Sequence, residues 1–382
     1  MSSARIVETV AAAPPLECMI MDDRMCVLGG SAPFQIEANL DTVRECNSNI
    51  VQILEQVSSK SKLNLTLKET ALQTTLKELR EWGLAAYVHL GDRFGELWQN
   101  FGGVALDQNL VVTGDTFPLL WECVYTGPSS GATDAQRFWG LRHRITRRLP
   151  GLLQRLDGYY PPVGFLFNQH RNLKHVRDEL AHLRQLCEEQ FAFDVMDDRF
   201  NAHKPEMVVD DIFDRVLAVW TGDDYDFVHV ASHLRQVGKE PHGQAATNSL
   251  IEISCVTIPT LIQLPLHRFV AAAYDRRFRR RPLVFLNACK TLGNELLLGS
   301  AGFPKALMKL GASAVIATVC TVPDLFAMEF AKVFYGLLFT HRSPGEALLE
   351  ARRYFIEKHN NPLGLAYVLY TREDRPTPWI NM

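Results

Sequence analysis

The chain has 382 residues, which is enough for two or three domains with a sizeable core. Its 47% hydrophobic and 22% charged residues are ordinary for a globular protein, and its formal net charge of −3 provides no general attraction to nucleic acid or anionic membranes. No apolar run reaches the roughly 18 residues that a membrane helix needs, and the N-terminus lacks a signal-peptide pattern. We therefore expect a cytoplasmic protein that neither binds nucleic acid directly nor enters a membrane.

The eight cysteines are spread along the chain, without a CxxC motif or the paired Cys and His spacing of a zinc site. In a reducing cytosol most of them are expected to be buried, free thiols that act as small hydrophobes. Neither a metal ion nor another cofactor is implied by this pattern.

The first 60 residues are predicted to be an N-terminal β/helical segment. Short apolar runs at Leu16–Ile20 and Cys26–Leu28 predict a hairpin or a small β element. Apolar residues spaced by three and four positions then predict a helix from about Leu40 to Val57.

Residues 61–158 form a second predicted region of helices plus β structure. A helical pattern extends from about Thr66 to Trp98, and Asn109–Thr113 resembles a strand. The basic run Leu141–Arg148 is interpreted as a solvated face or loop, with a partner-binding or processing site as the alternative.

From residue 159 to residue 382, apolar strand-like runs alternate with helical patterns. The runs are Val163–Phe167, Phe191–Met196, Phe227–Ser232, Leu283–Ala288, Ala314–Val319 and Leu365–Tyr370. This alternation predicts an α/β fold with a doubly wound, mainly parallel six-stranded sheet and helices on both faces. Pro304 and Gly311 are expected to start and end a helix, and Asp324 and Ser343 are predicted N-caps. A second basic run, Arg276–Arg281, is interpreted as a solvated helix end, with a cleavable or regulatory loop as the alternative.

His233 and Cys289 come at the ends of the third and fourth of these runs. Residues just past the carboxyl ends of parallel strands line the ligand crevice of such sheets. If the two strands are neighbours, an imidazole and a thiol meet there as a base and its nucleophile. Their spacing is close to the roughly 50 residues that separate His and Cys in caspases.

Other residues compete for these two roles. His229 shares a strand face with His233 but lies inside the run, where a buried structural role is favoured. Cys255 follows a strand-like run in the insertion between the third and fourth strands. Cys320 ends the fifth strand and is the stronger rival to Cys289 as the nucleophile.

Several segments in this half resemble the CHAT family of caspase-like cysteine peptidases, in the caspase/separase superfamily. The segments that carry the resemblance are Phe227–His233, Leu283–Thr291, Gly302–Leu307, Gly311–Ile316, Phe334–Leu338 and Asn361–Leu363. Upstream, Phe117–Glu122 and Phe138–Gly140 are also similar, so the resemblance covers about four fifths of the chain. It implies a caspase-like core over residues 159–382, with His233 as the base and Cys289 as the nucleophile.

One position departs from the family pattern. The family usually has Gly directly after the catalytic His, and its backbone N–H helps to form the oxyanion hole. Here the residue is Leu234, which supplies the same N–H unless the turn requires a positive φ.

Four further residues are candidates for substrate binding. Asn287 shares a strand face with Cys289, at a position where relatives that cleave after basic residues often carry an acid. Because Asn287 is neutral, we expect a polar or apolar P1 residue. Asn168 and Arg171, in the loop after the first strand, are predicted to form another wall of the pocket, where Arg171 would suit an acidic P1. Asp324 is placed on the crevice rim.

The resemblance implies an endopeptidase that cleaves a specific protein or peptide substrate. It also implies control by a sensor or activator protein in bacterial defence or cell death, for example in a gasdermin-like or CRISPR-linked system. Two alternatives stay open: a CHAT-fold scaffold without proteolysis, which the Leu234 departure favours, and a Cys-dependent hydrolase or transferase acting on small molecules.

Overall fold

The computed structural model describes residues 16–21, 24–28, 34–36, 40–90, 109–114, 119–149, 162–188, 190–201, 209–222, 224–236, 249–255, 258–288, 302–340 and 342–372. Thirteen strands within these ranges form one sheet. Among the helices described, none has the length and apolar character needed to cross a membrane.

The strands are β1 (Leu16–Met21), β2 (Arg24–Leu28), β3 (Phe34–Ile36), β4 (Asn109–Gly114), β5 (Arg144–Arg148), β6 (Gly164–Gln169), β7 (Ala192–Val195), β8 (Phe227–Gln236), β9 (Ser249–Cys255), β10 (Ile258–Pro265), β11 (Leu283–Ala288), β12 (Ala314–Thr318) and β13 (Tyr367–Thr371). The α-helices are α1 (Leu40–Lys60), α2 (Glu69–His89), α3 (Trp139–Arg142), α4 (Val176–Cys187), α5 (Met196–Asn201), α6 (Val209–Gly222), α7 (Leu266–Ala272), α8 (Phe303–Lys309), α9 (Asp324–Leu338) and α10 (Pro344–His359). Short 3-10 helices are found at Trp121–Cys123, Ala135–Arg137 and Pro362–Ala366.

The six strands predicted in the C-terminal part are present, in the spatial order β7-β6-β8-β11-β12-β13. The first five are parallel to one another, and β13 is antiparallel to β12. Strands β8 and β11, which carry the runs before the predicted dyad, are direct neighbours. The predicted α/β fold with a mainly parallel sheet is therefore confirmed.

Helices cover both faces of this sheet. On one face, Tyr335 of α9 packs against the rings of Phe165, Phe227 and Phe285 from three adjacent strands. On the other face, Trp220 of α6 donates a hydrogen bond to a β6 side chain and α6, α7 and α8 pack together. Burial on both faces explains why these strands are almost continuously apolar in sequence.

The sheet continues from the C-terminal part into the upstream part of the chain. Strand β13 pairs with β5, and the order then runs through β4 and β1 to the hairpin of β1 and β2, with β3 at the edge. The three predicted segments, 1–60, 61–158 and 159–382, thus all contribute strands to one sheet. Their division into domains stays a prediction.

A buried carboxylate joins the upstream part to the C-terminal part. Glu122 is fully buried, and its two oxygens each accept a 2.7 Å hydrogen bond from Arg147 of β5. Arg352 of α10 reaches the same carboxylate at 3.3 Å. Burial alone would raise the pKa of Glu122, but the two guanidinium groups outweigh it and hold that pKa below its ordinary value.

The two basic runs differ in where the structure places their arginines. The interpretation of Leu141–Arg148 as a solvated face or loop is wrong, because this run forms α3 and the sheet strand β5, in which Arg147 is buried against Glu122. The run Arg276–Arg281 lies just past α7. Its arginines at 276, 279 and 280 form ion pairs with aspartates 214, 224 and 226.

Three of the predicted helix signals are confirmed. Ser343 caps α10 in a capping box with Glu346. Pro304 lies in the first turn of α8, and Gly311 follows that helix with φ +107°. The prediction for Asp324 is wrong in detail. Asp324 is the first helical residue of α9, and its carboxylate accepts the backbone N–H of His175 just before α4.

Candidate active site

His233 lies where the neighbours of β8 change. Residues up to Ser232 pair with the parallel strand β11, whereas His233 pairs with the antiparallel strand β9. The strand therefore does not end at His233, as the apolar run suggests, but continues to Gln236. Because β6 ends at this level and the last described residue of β11, Ala288, pairs with Ser232, His233 stands at the carboxyl edge of the parallel sheet. This edge adjoins the switch point between β6 and β8, where ligand crevices form.

A cavity opens against His233 at this edge. Its lining includes Glu179 of α4, Asn287 of β11 and Asp324 of α9, and Leu173 adds an apolar wall. The structure therefore brings together His233, Asn287 and Asp324, three of the residues predicted from the sequence.

Asn287 is almost completely buried, and its side-chain amide is engaged within the protein. Its Nδ2 donates to Oε1 of Glu179 at 2.8 Å and to the backbone oxygen of Ala327 at 3.0 Å. Its Oδ1 accepts a hydrogen bond from the hydroxyl of Tyr367 at 2.9 Å. Because both amide donors are used, Asn287 orients Glu179 and has no donor left for a ligand.

His229 belongs to the same buried network. Its Nε2 lies 2.9 Å from Oε1 of Glu179, and its Nδ1 lies 3.3 Å from the hydroxyl of Tyr335. Burial raises the pKa of Tyr335 well above its ordinary value, so the phenol keeps its proton. This inaccessible ring has the structural role that its position inside the strand favours.

A second imidazole contacts His233. The rings of His170 and His233 meet edge to face, with their centroids 4.6 Å apart. Nδ1 of His170 accepts the backbone N–H of Asn172 at 3.3 Å, which leaves the ring proton on Nε2. Burial lowers the pKa of His170, and the neighbouring charge of His233 lowers it further. His170 is therefore neutral, and its ring packs against the ring of His233 and limits its orientation.

The other predicted substrate-binding residues lie elsewhere. Asn168 is fully buried, with its side chain bonded to Trp220 of α6 and to the backbone of His229, and it is not part of the cavity lining. Arg171 is exposed in the turn after β6, and its backbone N–H donates to the hydroxyl of Ser254 at 3.1 Å. The structure does not bring either side chain to the cavity.

Leu234 continues β8 and pairs with Ile251 of β9. Among the described non-glycine residues, only Arg281 and Asn360 have a positive φ. The backbone at Leu234 is thus extended, and a conformation that only glycine favours is not required there.

The predicted nucleophile Cys289 lies outside the described residues, and so does the side chain of Cys255. Cys320, the stronger rival, follows β12 and is fully buried, an environment in which thiols react poorly. Within the described ranges, no group of three or more His, Cys, Asp or Glu side chains is arranged to hold a metal ion.

Glu179 is the residue at this site that the sequence reasoning missed. It lies on the buried stripe of α4 with Val176, Leu183 and Cys187. An acid at the apolar i, i+3, i+7 spacing of an amphipathic helix is a visible signal, because a buried carboxylate needs partners or a ligand.

Comparison with known proteins gives a family match and several distant likenesses. The CHAT domain matches residues 165–380, which is more than half of the chain. A "probable protease" from Vitiosangium sp. (strain GDMCC 1.1324) is 34% identical over 99 residues, 25% of this chain and 13% of that protein. The chain therefore spans only a small part of the curated relative that it matches.

Two solved structures are similar over most of the chain. The crystal structure of the Arg-specific cysteine proteinase gingipain R has 12% identity and a TM-score of 0.43, covering 86% of this chain and 74% of that one. The Saccharomyces cerevisiae separase–securin complex has 15% identity and a TM-score of 0.39, covering 87% of this chain and 22% of that one.

Proposed function

The chain belongs to the CHAT family of caspase-like cysteine peptidases, and we propose that it is a cysteine endopeptidase with Cys289 as the nucleophile and His233 as the base. The observation that carries this proposal is the register of β8 and β11. Their last described pair is Ser232 with Ala288, and the next residues in the two chains are His233 and Cys289. A register continued by one residue would set the thiol beside the imidazole, on the strand face of Asn287.

The proposed reaction is acyl transfer to the thiol. His233 takes the proton of Cys289, and the thiolate attacks the scissile carbonyl carbon. Backbone N–H groups of Cys289 and Leu234 hold the oxyanion of the tetrahedral intermediate. The C–N bond then breaks as His233 returns its proton to the leaving amine. Water, deprotonated by His233, hydrolyses the thioester and releases the carboxylic acid and the thiol.

We further propose a cytoplasmic setting in bacterial defence or cell death, in which a sensor or activator protein switches the enzyme on. The family resemblance supports this setting, including a gasdermin-like or CRISPR-linked partner. The substrate is a protein or an extended peptide.

Two other functions are weighed against the peptidase. A CHAT-fold scaffold would keep the sheet without turnover. The departure from the family glycine at Leu234 favours it, but the extended backbone at Leu234 does not require a glycine and so weakens that support. A Cys-dependent enzyme for small molecules is disfavoured by the β9–β10 hairpin, because this insertion extends the sheet beside His233 and suits an extended ligand.

Peptide turnover tests the proposal. The native chain, Cys289→Ala and His233→Ala would be assayed with a library of fluorogenic tetrapeptides, with Cys320→Ala as the matched thiol control. We expect turnover by the native chain and the control, and a loss of at least about a hundredfold in the two dyad variants. The circular dichroism melting of Cys289→Ala should be nearly unchanged. Turnover that survives Cys289→Ala but not Cys320→Ala would reassign the nucleophile, and a native chain without turnover would favour the scaffold.

A further inference from the structure

A row of strand ends lies at the edge of the sheet opposite to the candidate active site. Strands β11 and β12 begin there and β13 ends there, in one continuous register. Backbone hydrogen bonds extend the row by one residue, because Ser313 donates its N–H to the oxygen of Pro282 and Arg372 donates its N–H to the oxygen of Ser313. Arg281, directly before Pro282, and Arg372 therefore lie at the same edge, on either side of the start of β12.

Two more basic residues belong to this edge. Arg277 lies in the turn after α7, where its Cδ would be 3.8 Å from a Cβ at Gly311, just past α8. Lys309, the last residue of α8, is exposed. Burial, and then the charges of Arg281 and Arg277, lower the pKa of Arg372, as expected where like charges converge. Together we call Arg277, Arg281, Lys309 and Arg372 the basic edge.

The aspartates beside the basic edge are paired with other arginines. Those at 214, 224 and 226 form ion pairs with the arginines at 276, 279 and 280. Among the described residues, no carboxylate, including that of Asp275 in the same turn, forms an ion pair with Arg277 or Arg281. Arg277 donates instead to two backbone oxygens of its own turn. The described fold thus leaves positive charge on the basic edge that it does not neutralise.

Arg281 also has an unusual backbone conformation. Its φ of +55° is in the left-handed region, which costs free energy for a residue with a Cβ. Asn360, the other described non-glycine residue with a positive φ, caps the C-terminus of α10, whereas Arg281 ends no described helix. An outlier without a capping role points to a side chain that is positioned for a function.

Exposed apolar side chains adjoin the basic edge. Tyr274, three residues before Arg277, is 90% exposed, and Val270 of α7, one turn earlier, is 45% exposed. A ligand that contacts both the arginines and these side chains needs acidic and apolar groups together, as a polypeptide has. Nucleic acid is disfavoured, because the paired aspartates interrupt the extended positive field that a polyphosphate backbone follows.

We propose that the basic edge binds an acidic segment of a partner protein, whose apolar side chains contact Tyr274 and Val270. Arginine suits such a partner, since its planar guanidinium matches a carboxylate with two parallel hydrogen bonds. Because the basic edge and His233 are at opposite edges of the sheet, this partner leaves the candidate active site open. The inference does not depend on the peptidase proposal.

Fluorescence anisotropy tests the proposal on the full chain. The probes would be a labelled peptide of repeated Glu-Glu-Leu triplets, the same peptide with glutamine in place of glutamate, and a single-stranded oligothymidine. We expect the acidic peptide to bind at least about tenfold more tightly than the neutral one and to weaken as salt is added. Equal binding of the two peptides, or none, would overturn the proposal. Tighter binding of the oligothymidine would reassign the surface to nucleic acid.

Variants locate the binding at the basic edge. Arg281→Asn removes one guanidinium where asparagine tolerates the backbone, and Arg277→Gln removes a second. The double variant should bind the acidic peptide about tenfold more weakly, because two exposed ion pairs are lost. Arg281→Asn removes no described hydrogen bond, so it keeps the test available if Arg277→Gln lowers the melting temperature. The matched control is Lys174→Gln with Arg177→Gln, two exposed residues near the opposite edge. Affinity that survives the double variant, or falls equally in the control, would overturn the assignment.

The other candidate occupant of the basic edge is the chain itself. Glu373 and Asp374 follow Arg372 directly in sequence and lie outside the described residues. If their carboxylates fill the basic edge, the native chain will not bind the acidic peptide, whereas the Glu373→Gln and Asp374→Asn double variant will. That result would overturn the partner proposal in favour of an internal contact.

Discussion

Replacing Glu122 by glutamine should destabilise the whole sheet. The carboxylate is fully buried, and it is the shared acidic partner of Arg147, through two hydrogen bonds of 2.7 Å, and of Arg352, at 3.3 Å. Removing one partner of such a network leaves buried charge uncompensated, which typically costs about 3–5 kcal/mol. Because the three side chains come from a 3-10 turn, β5 and α10, we expect the upstream and C-terminal parts to lose stability together.

Urea unfolding followed by circular dichroism would measure the effect of Glu122→Gln. The matched control is Asp214→Asn, which removes a half-exposed carboxylate paired with Arg268 and Arg276 and should cost less than about 1 kcal/mol. The reasoning would be refuted if the two variants lost similar stability, or if Glu122→Gln produced a separate early transition instead of a lower single midpoint.

Two further predictions concern His143 and the glycines of the helices. Burial, together with two neighbouring arginines, lowers the pKa of His143 to about 3 from 6.5. As the pH falls, the unfolded chain therefore binds a proton at His143 at a higher pH than the folded chain does. Stability should fall by about 4 kcal/mol as the pH drops from 6.5 toward 3, and His143→Gln should flatten that dependence in urea titrations at several pH values. A Cβ at Gly83 of α2 would lie 2.1 Å from the backbone oxygen of Cys123, whereas one at Gly336 of α9 would meet no atom within 4 Å. Thermal melting should thus show Gly83→Ala strongly destabilised and Gly336→Ala unchanged or stabilised by up to about 1 kcal/mol; the reverse order would contradict the packing described.

The parts of the fold that sequence could predict are those set by local patterns. Alternating apolar runs and helical periodicity located the six core strands, and Ser343 and Pro304 marked helix starts because capping chemistry is local. The end of the apolar run likewise placed His233 at the carboxyl edge of the parallel sheet. Whether β8 and β11 are neighbours was not fixed by local patterns, and it is the tertiary structure that places them side by side.

The parts that sequence could not predict depend on distant partners. The basic run containing Arg147 looks solvated until Glu122, 25 residues earlier, is placed against it. Glu179 could similarly not be connected with Asn287, because it is 108 residues away in sequence and only the fold brings it to that amide. In both cases, the role of a buried side chain depends on a partner that only the tertiary structure brings near.

The most direct test of the Cys–His dyad is the reactivity of the Cys289 thiol. Alkylation by iodoacetamide would be followed across pH for all eight cysteines by peptide mass spectrometry. The dyad predicts that Cys289 reacts fastest, stays reactive well below the ordinary thiol pKa of about 8.5, and slows about tenfold or more at pH 6.5 in His233→Gln. A Cys289 that titrates as an ordinary thiol and does not respond to the loss of His233 would contradict the account.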